Sequence, residues 1–252
     1  MAGHDAEASP QVLSRIGGLL YLIIIILGIF CEVAVRDSLI VSGDAAATAA
    51  NIVAQEWFWR FGIAAELFML MCAVVLTLIF YVLLRPVSRD LALLAAFFNL
   101  VSIAIEAMNL LQLLGALFPL GKAGYLGAFD PAQLHALTSL SLKLHAYGFG
   151  VSLIFFGCVC LVMGYLIFRS GYLPKTIGVL MQIAGLSYLI NSFALLLAPT
   201  FASRMFPAIL LPAFVGEASF CLWLLVKGVN VEKWERGASA QRARPVEDQS
   251  RR

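Results

Sequence analysis

Long apolar runs alternate with short polar breaks along nearly the whole chain, and the breaks predict six spans over roughly 15–35, 61–84, 91–114, 143–168, 175–198 and 206–226. Runs of about 20 residues wound at about 1.5 Å per residue cross a hydrocarbon core about 30 Å thick. Span four belongs to a longer helix. Asp130-Pro131-Ala132-Gln133 supplies in order an N-cap, a first-turn proline and a capping-box glutamine, so this helix is expected to run unbroken to Phe168. Its first two turns, with His135, Thr138 and Ser141, are expected to project beyond the membrane. Asp44 caps a short Ala-rich helix between Ser42 and Glu56, too short and too polar to span, which predicts an amphipathic surface helix. Trp57, Trp59 and Arg60 then mark a water boundary. Arg36-Asp37 and Arg85-Pro86 end spans one and two, Ser170-Gly171 caps span four, and Pro207 and Pro212 are expected to bend span six.

Inside the apolar runs the polar positions keep helical register. Asn99, Ser102, Glu106 and Asn109 follow at steps of three, four and three, drawing one stripe down span three. Lipid cannot satisfy such a stripe, so span three turns it toward the other helices. Tyr21, Ile25, Gly28 and Glu32 share a face of span one, and Glu66 and Thr77 share a face of span two. Gly150, Gly157 and Gly164 recur every seven residues, a ridge suited to close helix contact. A weaker pattern links spans one and five: Ile16-Gly-Gly-Leu-Leu-Tyr-Leu-Ile23 matches Ile183-Ala-Gly-Leu-Ser-Tyr-Leu-Ile190 at six of eight positions. Duplication and chance both stay open, since counting from the span ends puts the two strings at different depths.

Composition narrows the class. Hydrophobic residues make up 62%, charged residues 13%, and the mean hydropathy is +0.92, which excludes a soluble domain and predicts an all-α polytopic membrane protein of six transmembrane helices. The expected layout is an N-terminal tail over 1–14, a six-helix transmembrane domain over 15–229 and a basic tail over 230–252, disordered from Gly237 onward. The first residues carry no Lys or Arg before Arg15, so no cleavable signal peptide is expected. Cys31, Cys72, Cys158, Cys160 and Cys221 all lie in apolar runs, which argues for packing and against a disulfide framework or a zinc site. Even span number puts both termini on one side, and that side collects twelve Lys and Arg against five on the other. The bias places both termini in the cytoplasm. The basic tail belongs to that flank and is no nucleic-acid module.

With this orientation the ionisable residues within the membrane are asymmetric. Glu66, Glu106, Glu217 and His145 lie at or outside the midplane with Asn109 and Asn191, whereas the inner half holds little beyond Asn99, Ser102, Thr77 and Gln182, all uncharged. A charge at that depth costs roughly 2.5–3.5 kcal/mol on insertion scales. A shared site would relieve all three carboxylates, so the expectation is a polar pocket open to the extracytoplasmic half of the bilayer, floored by Glu106 and Glu217 and walled by Glu66, Asn109, His145 and Asn191. Bundles also use such side chains purely as interhelical hydrogen-bond partners, and Lys143 could neutralise one carboxylate. Both uses stay open. No zinc-protease, nucleophile-elbow or phosphate-loop motif is present. A metal on Glu66, Glu106, Glu217 and His145 is chemically admissible, but nothing in the spacing requires one, and neither metal nor cofactor is assigned.

Four strings, Gly43-Asp-Ala-Ala-Ala-Thr-Ala-Ala-Asn-Ile52, Leu144-His-Ala-Tyr-Gly-Phe149, Arg169-Ser-Gly-Tyr-Leu-Pro174 and Leu211-Pro-Ala-Phe-Val-Gly-Glu217, resemble a bacterial multi-pass membrane family, domain of unknown function forty-three eighty-six, over about Arg15 to Val229. The resemblance implies a protein of the bacterial cytoplasmic (inner) membrane with about six helices. It carries no established activity and no catalytic residue. The favoured reading is a non-catalytic carrier, sensor or binder whose partners are the lipid bilayer and a small-molecule or lipid ligand. An intramembrane enzyme using a carboxylate or a metal, and a membrane scaffold, are the alternatives.

Overall fold

The computed structural model describes residues 9–242. Helix α1 (Pro10–Ile29) begins with a proline in its first turn and passes through a π-helical segment, Phe30–Arg36, into α2 (Asp37–Leu39). Helices α3 (Ala45–Ala54), α4 (Glu56–Leu84), α5 (Arg89–Gly115), α6 (Pro131–Ser170), α7 (Lys175–Leu197), α8 (Pro199–Met205), α9 (Leu211–Val226) and α10 (Val231–Arg242) follow. There is no strand among the described residues. Six of these segments are long and apolar enough to cross a membrane, and the chain is an all-α, multi-pass membrane protein.

The helix ends follow local chemistry. The Asp130 carboxylate accepts from Gln133 N at 2.8 Å while Gln133 Oε1 accepts from Asp130 N at 3.0 Å, a complete capping box at the start of the 40-residue α6. Asp44 accepts from Ala47 N at 2.9 Å and starts α3, and Gly171, at φ 71°, closes α6 in a left-handed conformation that few other residues adopt.

The six spanning helices form a closed ring in sequence order: α1 packs on α4, α4 on α5, α5 on α6, α6 on α7, α7 on α9, and α9 returns to α1. The tightest seam runs between α6 and α7. A Cβ on Gly178 would lie 2.7 Å from the Gly164 carbonyl oxygen, and one on Gly185 would lie 2.7 Å from that of Gly157, so the expected glycine ridge meets a second ridge on α7.

At the end of the ring that carries both termini, Gln11 Nε2 donates to Lys227 O at 3.0 Å and Gln11 Oε1 accepts from Val229 N at 3.1 Å. There the Leu83 carbonyl accepts from both Tyr172 Oη at 2.7 Å and Trp234 Nε1 at 2.9 Å. Trp234 is buried and Asn230 caps α10 by accepting from Lys233 N. The tail is therefore helical through Arg242 where disorder was expected from Gly237, because one tryptophan anchors an otherwise polar helix; the expectations for residues 1–8 and 243–252 lie outside the described residues.

Four local expectations change. Span one does not stop at Arg36-Asp37: the helical path continues to Leu39, and Arg36 turns into the bundle. Trp57 is exposed as a boundary residue would be, but Trp59 is fully buried and donates to Leu113 O at 3.0 Å. Thr138 does not project into water; it is buried, with its hydroxyl on Ala116 O at 3.2 Å, because the start of α6 packs over the end of α5. Pro207 and Pro212 do not fall in the middle of an α-helix: Pro207 precedes a 3-10 turn over Ala208–Leu210, and α9 begins at Leu211 with Pro212 in its first turn, where a missing N–H costs nothing.

Candidate functional site

The ring helices line a partly open cavity of about 340 Å³. Its wall is mostly aliphatic and aromatic, with Ile24, Ile25, Leu76, Leu153, Phe156 and Met181 among the lining residues, so the expected polar pocket is replaced by an apolar one with a few polar groups set into it. Of the six candidates, Glu106 and Glu217 line this cavity; Glu66, Asn109, His145 and Asn191 do not. Asn191 is buried on α7 and belongs to neither the cavity lining nor the Glu66, Glu106 and His145 group.

The first polar group is centred on Glu217 of α9. Tyr21 Oη of α1 donates to its Oε2 at 2.9 Å, and Tyr188 Oη of α7 donates to its Oε1. One carboxylate thus ties three helices together. Phe80 and Phe220 stack at 5.2 Å beneath Tyr21, and Phe156 meets Tyr188 edge-on at 5.5 Å, which holds both phenols in place. Tyr21 and Tyr188 are the corresponding residues of the two echoing strings, and their common partner puts them at one level of the bundle, contrary to the different depths inferred from the span ends. That echo was the available signal for the site.

The second group lies among α4, α5 and α6. Glu66, Glu106 and His145, all buried, each bring one carboxylate oxygen or ring nitrogen within 4.8 Å of the others. The stripe on α5 aims them. Ser102 Oγ donates to Ser152 O at 2.9 Å, Asn109 Nδ2 donates to His145 O at 3.0 Å, and Asn99 Nδ2 donates to Thr77 Oγ1 at 2.6 Å. A Cβ on Gly148 would meet Asn109 Oδ1 at 2.1 Å, so glycine at that position is what admits the amide between α5 and α6. Ser152 Oγ donates to Glu106 Oε2 at 3.1 Å. Glu106 Oε1 and His145 Nε2 face each other at 3.9 Å, and neither has a hydrogen-bond partner.

Glu66 is neutralised by Arg36, not by Lys143, which is exposed on α6. Arg36 Nη1 lies 2.6 Å from Glu66 Oε2, while its Nη2 lies 2.7 Å from Glu32 Oε2. The guanidinium fork thereby joins a nearly sealed carboxylate to a half-exposed one. Arg36 and Ser152 are site residues that sequence reasoning missed. The spacing of Glu32 and Arg36 by four hinted at the first pair, but only packing brings Glu66 to it.

No solved structure matches the chain. An uncharacterized protein of Archaeoglobus fulgidus is 29% identical over 148 residues, covering 59% of this chain and 72% of that protein. The family model described as Domain of unknown function (DUF4386) matches residues 16–228, which takes in the ring from the second turn of α1 onward, the cavity and both polar groups, and the chain belongs to that family.

Proposed function

We propose that the chain is a membrane carrier, sensor or binder that takes an apolar or amphipathic small molecule, such as a lipid, into the centre of its helical ring. The observation behind this is the cavity itself: about 340 Å³ of partly open space lined mainly by apolar side chains, with the Glu217 carboxylate at its wall. Pockets of this size and lining are typical of small-molecule sites, in which a few polar groups orient a largely apolar ligand. Each oxygen of Glu217 accepts from one tyrosine and keeps further lone pairs for a hydroxyl or ammonium on the ligand. Catalysis is the weaker reading, because the hydroxyl of Ser152 meets a carboxylate and not the imidazole that would activate it as a nucleophile. The proposed setting is the bacterial cytoplasmic membrane with both termini inside, supported by the excess of Lys and Arg at the terminal end of the ring.

The test is occupancy. Protein released from its own membranes in mild detergent is examined by native mass spectrometry, as wild type and as Gly28→Leu. Gly28 lines the cavity, and a Cβ there meets only Met69 Sδ at 3.7 Å, an ordinary contact, so the substitution begins without a backbone clash and directs added bulk at the cavity wall. The expected result is a co-purifying small molecule on the wild type that Gly28→Leu loses. A wild-type chain that never carries one, or a variant that carries it equally, refutes the proposal.

A further inference from the structure

We infer that Glu66, Glu106 and His145 form a binding site for one divalent transition-metal ion. The three residues come from three helices, are each more than nine-tenths buried, and bring one potential ligand atom apiece within 4.8 Å of one another. Two of the atoms have nothing to bond to: Glu106 Oε1 and His145 Nε2 are sealed from solvent, lack hydrogen-bond partners and point at each other across 3.9 Å. That gap is too long for a hydrogen bond, whose heavy atoms sit about 2.7–3.2 Å apart. Two bonds of about 2.1 Å to a shared ion span it at a wide angle, and an approach of roughly 0.5 Å brings the angle to tetrahedral.

Charge and support agree. Glu32, Glu66 and Glu106 place three carboxylates around a single cation, Arg36, so a doubly charged ion balances the group with His145 neutral. Both carboxylates are braced from outside: Arg36 holds Glu66 Oε2 and Ser152 holds Glu106 Oε2. Metal ligands are oriented by such outer contacts. An imidazole with two carboxylates suits Zn²⁺ or Mn²⁺, whereas Mg²⁺ and Ca²⁺ take oxygen ligands. Three protein ligands leave a coordination position, and Glu106 borders the cavity. This site is separate from Glu217 and does not depend on what the cavity binds.

The experiment uses the full chain in mild detergent with any affinity tag removed. The protein is stripped with chelator and equilibrated with Zn²⁺ or Mn²⁺ alone, and bound metal is measured by inductively coupled plasma mass spectrometry. Wild type and Glu235→Gln, an exposed carboxylate of α10, are expected to hold about one ion per chain. His145→Ala and Glu106→Gln are expected to lose the ion, and excess Mg²⁺ should not displace it. Glu106→Gln is isosteric and can keep the Ser152 contact, so the inference stays testable even if His145→Ala does not fold. Substoichiometric metal on wild type, full metal on folded Glu106→Gln, or displacement by Mg²⁺ overturns it.

Discussion

Arg36→Met is the sharpest test of how the charged group is held together. The guanidinium has two carboxylate partners of unequal burial: the Glu66 side chain is 3% exposed and the Glu32 side chain 48% exposed. Loss of the cation lets Glu32 turn to water, at a cost within the 0–1 kcal/mol typical of an exposed pair. Glu66 has no such exit. An uncompensated buried charge costs about 3–5 kcal/mol, so nearly all the damage from Arg36→Met should come from Glu66. Glu66→Gln should be milder, about 1–2 kcal/mol, because Arg36 keeps Glu32 and the new amide oxygen can still accept from Nη1. The double variant removes both charges and fills part of the space with methionine, so it should recover roughly 2 kcal/mol or more relative to Arg36→Met alone. Reversible unfolding in mixed micelles, followed by tryptophan fluorescence with chelator present to silence any metal, gives the full cycle. If Arg36→Met costs less than about 1 kcal/mol, or the double variant loses the sum of the two singles, Glu66 does not depend on Arg36 and the reasoning fails.

The same unfolding assay separates two glycines. Gly178→Ala puts a Cβ 2.7 Å from the Gly164 carbonyl and the Phe168 nitrogen, both backbone, and should cost about 1–3 kcal/mol as α6 and α7 part, whereas Gly28→Ala should be close to neutral. Tyr21→Phe and Tyr188→Phe each take one donor from Glu217 and should each destabilise by about 1–3 kcal/mol; an effect within error for both would remove Glu217 as the tie among α1, α7 and α9. Outside the membrane, burial pushes the Tyr172 phenol above its ordinary range. The unfolded chain therefore loses this proton first, so the contribution of Tyr172 is intact below about pH 10 and declines as pH rises from there through the folded value. Stability profiles at alkaline pH should be flatter for Tyr172→Phe, and an unchanged slope would contradict its burial. Trp234→Phe removes the indole donor to Leu83 O and should speed amide hydrogen exchange in α10 while leaving the ring helices protected.

Much of the architecture is written in short stretches of chain, and the polar group around α5 shows where that stops. The steps from Asn99 to Asn109 predict that these four side chains share a face, and they do; that the face would meet Gly148, His145 and Ser152 depends on how α5 and α6 are rotated against each other. Arg36 shows the same limit from the other side. Its position at the end of an apolar run suggested a boundary, because nothing within several residues shows that Glu66 waits in the next spanning helix. The echo of Tyr21 and Tyr188 was visible in the chain, yet its meaning appeared only when both phenols met Glu217, a residue 196 positions from one and 29 from the other.

The sequence by itself determined the six spans, the capped ends of α3 and α6, the inward stripe and the glycine ridge, since helix periodicity, capping and the cost of polar groups in lipid act within a few residues. Only the tertiary structure decided that the cavity is apolar, that Glu217 belongs to two tyrosines, and that Glu66, Glu106 and His145 share one place. Those outcomes rest on the rotation and depth of whole helices, which the packing of Gly157 on Gly185 and Gly164 on Gly178 helps to set. Such contacts join residues distant along the chain, and a periodic pattern within one helix cannot specify which face of another it will meet.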